Sequence, residues 1–154
     1  MNVPEPKTIK SLRISRAAGK LLGGYALVAM HGWFIFKLAL PSPTGLLESV
    51  VGIAAITGMV TSLAFFVSSY GAIANAPDAL LDERELADRN RAYVFSFKYL
   101  VAMTLAGGIL PEILAKVFAF SLSIGVMKNF MMLMFTTALV LPGTVLAWSE
   151  KDVD

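Results

Sequence analysis

The chain is written in long apolar blocks separated by short polar ones. Residues 21–40 form the first block, closed by Pro41, Ser42 and Pro43. A second block, rich in small residues, spans 46–74, and two more span 92–114 and 127–148. Each approximates or exceeds the roughly 20 residues that carry a helix across about 30 Å of hydrocarbon. Membrane-spanning strands are about half that length and alternate in polarity, which these blocks do not. The pattern predicts an all-α, polytopic integral membrane protein with four transmembrane helices arranged as two hairpins.

Three polar segments frame those blocks. Residues 1–20 make a basic leader with Lys7, Lys10, Arg13, Arg16 and Lys20 against Glu5. The leader does not read as a cleavable signal, because the apolar block behind it is too long and lacks a small-x-small site. Residues 75–91 form the central loop, and residues 149–154 an acidic tail around Lys151. Lys and Arg excess marks the cytoplasmic side. The leader, the central loop with the flanking Lys98, and the tail hold ten of the 13 basic residues; Lys37, Lys116 and Lys128 fall on the other side. Both termini and the loop are therefore expected in the cytoplasm. The least determined stretch is 107–125, where Gly107, Gly108 and Pro111 offer a helix end. Either the third helix stops there, or it starts near Glu85 and runs on through Pro111 with a kink.

Composition sharpens the class. Of 154 residues 56% are hydrophobic and 16% charged, with a mean hydropathy of +0.70. A soluble domain this small has too much surface to hide that apolar share. The absence of cysteine excludes disulfides, cysteine-ligated clusters and thiol chemistry. A net charge of +2 is too small for a nucleic-acid surface, so the expected partners are the lipid bilayer and another protein or a second copy.

The central loop carries the densest chemistry: Asp82, Glu83, Arg84 and Glu85, followed after three residues by Arg89, Asn90, Arg91, Ala92 and Tyr93. Glu85 with Arg89 and Arg84 with Asp88 are four apart, the spacing of stabilising pairs on an exposed helix. Asp82, Glu83, Arg84, Glu85, Arg89 and Arg91 are thus candidates for docking a partner. In its Asp-Glu-Arg-Glu and Arg-Asn-Arg-Ala-Tyr strings, set between a second and third helix, the chain resembles small uncharacterised bacterial four-helix membrane protein families. The resemblance implies the hairpin–loop–hairpin architecture and a bacterial inner membrane; it brings no activity with it.

Inside the apolar blocks, His31, Glu112 and Lys116 are the intramembrane polar candidates. A lone histidine in a span serves either to bond two helices or to ligate a haem iron. Glu112 and Lys116 are four apart, either a screened interfacial pair or, if deeper, part of a pathway. Lys37 lies near the outer interface, within snorkelling reach. Ala54, Gly58 and Ser62 set small side chains on one face at four-residue spacing, a helix-packing signal. Met131, Met132 and Met134 read as adaptable packing, and Trp33 and Trp148 as interfacial anchors. No nucleophile–base set, metal cluster or phosphate loop is written in the sequence. The resulting expectation is a non-enzymatic accessory or scaffold subunit of a larger membrane complex, with no cofactor. A small oligomeric transporter or channel using His31, Glu112 and Lys116 is the alternative, and a haem-binding redox subunit a further one.

Overall fold

A computed structural model describes residues 12–40, 45–118 and 123–149. Expectations for residues 1–11 of the leader and 150–154 of the tail fall outside them. Every regular element among the described residues is helical: α1 (Arg16–Ala39), α2 (Leu46–Phe66), the short α3 (Ser69–Ala74), a 3₁₀ turn at Asp78–Leu80, α4 (Glu83–Phe118) and α5 (Ile124–Ser149). Three of these, α1, α2 and α5, are long and apolar enough to cross a membrane.

The long helices run up, down, up and down. Antiparallel pairing of α1 with α2 follows from Tyr25 Oη bonding Thr57 Oγ1 at 2.6 Å and Lys37 meeting Glu48 further along. Gly19 faces Ala147, Gly23 faces Thr144 and Lys20 overlies Trp148, so α5 runs antiparallel to α1. Helix α5 is the centre of the bundle, touching α1, α2, α3 and α4. Its most apolar stretch is 56% buried, against 17% for the corresponding stretches of α1 and α2. The core gathers at the end holding the start of α1 and the end of α5, here the basal end. There Ala26, Phe65, Tyr70, Ala74, Ala92, Val140, Leu146 and Ala147 form one buried cluster.

The second apolar block is not one helix. It breaks at Val67 and Ser68, where Ser68 caps α3 by accepting from the Gly71 amide and also donates to the Phe65 carbonyl. A Cβ at position 71 would strike the Phe66 carbonyl, so glycine is what lets the chain double back so tightly. The strip before α1 is sewn to this break: Leu12 N–H donates to the Val67 carbonyl at 3.2 Å, and Ser69 N–H to the Leu12 carbonyl at 2.9 Å. Serine 15 then caps α1 by accepting from Ala18 N–H, which starts the helix before the apolar block begins.

The third block also differs from its simplest reading. Helix α4 is 36 residues long, starts inside the expected loop and continues across Gly107, Gly108 and Pro111. The glycine pair does not end it. Gly107 instead faces Phe130 of α5, whose ring atom Cε2 would lie 2.8 Å from a Cβ placed there. The missing side chain is filled by the neighbour's ring.

Adjacent glycines on α1 test this packing logic. A Cβ at Gly23 would lie 3.1 Å from both Cβ and Cγ2 of Thr144, whereas one at Gly24 meets nothing within 4 Å. Gly23→Ala should cost about 1–3 kcal/mol through overpacking. Gly24→Ala should be neutral or stabilise by up to about 1 kcal/mol through helix propensity. Reversible unfolding in detergent measures both, and equal effects would show that α5 does not press on α1 at this point.

Candidate functional site

The charged string opens α4 with two reciprocal bonds. Asp82 Oδ1 accepts from Glu85 N–H at 2.7 Å, and Glu85 Oε2 accepts from Asp82 N–H at 3.1 Å. This is a capping box with Asp at the cap, and it assigns Asp82 and Glu85 to ending the loop. The signal, an acidic cap three residues before a glutamate, was present in the sequence.

Arg89 faces the other way from its expected role. Instead of pairing with Glu85 on a solvated face, its guanidinium is buried and clamps the loop. Nη1 donates to the Ala76 carbonyl at 2.6 Å, and Nη2 forms an ion pair with Asp78. Tyr93 Oη donates to Asn75 Oδ1 one turn on, and Asn75 Nδ2 donates back to the Gly71 carbonyl. The physical reason is the tight return from α3 to α4, which brings the Ala76 carbonyl against α4, where it needs a donor. Glu83, Arg84 and Arg91 remain exposed. The six expected docking residues thus divide into a cap, a clamp and an exposed charged set.

Of the intramembrane candidates, His31 is the most fully defined. Its Nδ1 lies 2.7 Å from the Leu27 carbonyl, which can only accept, so Nδ1 carries the proton. Nε2 then accepts from Tyr99 Oη at 2.6 Å, joining α1 to α4 across 68 residues of sequence. Both ring nitrogens are engaged, and iron ligation through Nε2 would have to displace Tyr99. Lys116 is exposed in the last turn of α4, while the Glu112 side chain lies outside the described set. Lys37 meets Glu48 at 3.5 Å, so the snorkelling lysine has a partner at the far end of the α1–α2 hairpin.

The small-residue face of α2 is used inside the protein. Gly58 packs on Ala29 and Met30 of α1, Ser62 is buried and donates to the Gly58 carbonyl, and Ala54 is half-buried. At the basal end, Lys20 Nζ sits 5.6 Å from the centroid of the Trp148 ring, a cation–π contact that fixes α1 to the last turn of α5. No group of three or more histidine, aspartate or glutamate side chains converges among the described residues.

Comparison with protein-family models, curated proteins and solved structures yields no match. What the arrangement can do is hold helices in register and present Glu83, Arg84 and Arg91 on a fixed helical surface.

Two bonds can be tested directly. A double-mutant cycle on His31→Leu and Tyr99→Phe, read from unfolding free energies, should give a coupling of about 0.6–1.7 kcal/mol, the range of interhelical hydrogen bonds in membranes. Zero coupling would show the pair is not formed. Arg89→Met should cost about 1.5–3 kcal/mol, because it strips a charged donor from a buried carbonyl. It should also speed amide exchange across residues 76–82, whereas Arg84→Met should leave that exchange unchanged.

Proposed function

We propose that the chain is a four-span membrane protein, with both ends and the α3–α4 turn cytoplasmic, acting as an accessory or scaffold subunit of a larger membrane complex. Helix α4 supplies the fourth span in this reading. At 1.5 Å per residue its 36 residues extend about 54 Å, well beyond the roughly 30 Å hydrocarbon core. Its charged first turns then stand clear of the bilayer on the side where the positive residues gather.

One observation carries the reading: the start of α4 is a rigid charged surface. The Asp82–Glu85 box fixes its first turn, and Arg89 ties that turn to the loop below. Glu83, Arg84 and Arg91 project from a backbone that is already helical, and a preordered backbone loses less entropy in a complex. The remaining polar groups favour a structural role as well. His31, Lys37, Ser62 and Ser96 each bond within the protein, which leaves few of them to line a solute path.

Gentle extraction of the full chain and identification of co-purifying proteins tests this function. The expected result is a defined partner whose recovery falls when Glu83→Lys and Arg84→Glu are combined, with thermal stability unchanged. A single homogeneous oligomer without a partner would remove the accessory-subunit reading. Reporter fusions at both termini and in the α3–α4 turn should all report the cytoplasm; a terminus outside would remove the four-span topology.

A further inference from the structure

A cleft of about 470 Å³ opens between α4 and α5 at the basal end. Its α4 wall is Asp88, Arg91 and Phe95, spaced three and four residues apart and so stacked on one helix stripe. Its α5 wall is Val145, Trp148 and Ser149, the facing stripe of the antiparallel neighbour. The lining is graded. Asp88, Arg91 and Ser149 set charge and hydroxyl at one end, while Phe95 and Val145 make the other end apolar. This gradient runs along the helix axes, as polarity does across a membrane interface. Trp148 in the α5 wall is 62% exposed with Lys20 over its ring, a combination suited to headgroup depth.

The two charges on the rim have opposite sign. Asp88 and Arg91 form no ion pair with each other or with another described residue. An occupant that satisfies both must carry an anion and a hydrogen-bonding cation within one small headgroup, joined to an aliphatic tail. We propose that the cleft binds one zwitterionic phospholipid with a primary amine, a phosphatidylethanolamine. Its phosphate meets Arg91, its ammonium meets Asp88, and the first part of an acyl chain lies along Phe95 and Val145. Charge-assisted hydrogen bonds at both ends supply the selectivity. An anionic headgroup such as phosphatidylglycerol satisfies Arg91 but confronts the Asp88 carboxylate, and a choline headgroup has no N–H to donate. This site rests on the reading of α4 and α5 as membrane spans.

The full chain in nanodiscs of equal phosphatidylethanolamine, phosphatidylglycerol and phosphatidylcholine, released into a native mass spectrometer, reports which lipid is retained. Phosphatidylethanolamine should exceed each of the others by roughly tenfold. Asp88→Asn should abolish that preference and raise phosphatidylglycerol, Arg91→Gln should lower both, and Val145→Trp should fill the cleft and lower all three. Lys98→Gln, on α4 outside the cleft, should change nothing. Equal retention of the three lipids, a preference for phosphatidylglycerol, or variants that match the parent would overturn the site. Quenching of Trp148 by brominated lipids in a Trp33→Phe background separates the two readings. A tryptophan at headgroup depth with no lipid preference removes the lipid site alone. An unquenched tryptophan removes the placement of α5 in the bilayer, and the site with it.

Discussion

The structure depends on how closely α5 can approach its neighbours. In a bilayer, lipid tails are as apolar as leucine, so helices gain little from hiding hydrocarbon and must gain from contact. Contact at short range requires places where a side chain is missing. Gly23 gives α5 access to α1, Gly19 admits Tyr70 of α3 to the same helix, Gly143 gives α2 and α3 access to α5, and Gly107 lets Phe130 lie against α4. Each of these glycines faces an identifiable filling group: Tyr70, Thr144, Phe65 and Phe130. The buried cluster around Phe65, Tyr70 and Val140 follows from that approach.

Burial governs the polar groups in the same way. Without water, a hydroxyl must find a partner nearby, and most here return to their own helix. Ser62, Ser96, Thr136 and Thr144 donate to carbonyls three or four residues back. Such bonds satisfy the hydroxyl but do not join helices. Tyr25 with Thr57 and His31 with Tyr99 do join them, at different heights and between different pairs. Thr137 is an exception: its hydroxyl is buried with no partner among the described residues, and nothing in the structure explains it.

Much of the helical layout was legible in the sequence because apolar block length is a direct physical signal. The division of those blocks was less legible. Nothing local distinguishes Gly107, which receives a ring, from a glycine that ends a helix; the difference is Phe130, on another helix. The break at Ser68 was hidden for a similar reason. A serine inside an apolar block reads as a tolerated polar residue until Leu12 is seen pairing across the break. Candidate residues followed the same rule. The interhelical bond of His31 was foreseen in kind, yet Tyr99 was invisible as its partner, because a separation of 68 residues leaves no pattern in one dimension.

Helix geometry explains how one charged string can serve three purposes at once. A residue advances the helix by about 100°, so residues three or four apart share a face and the charges of one string are divided among several faces. Asp82 and Glu85, three apart, reach each other across the first turn and close it. Arg89 and Ala92, also three apart, both turn into the protein, one to clamp the loop and the other to enter the core. Asp88 and Arg91 take the stripe beside them and line the cleft toward α5. The charges of the string are not equivalent, as a single exposed docking face would require. Their registers separate them, and the residues left to meet a partner or a lipid are those that neither the cap nor the clamp consumes.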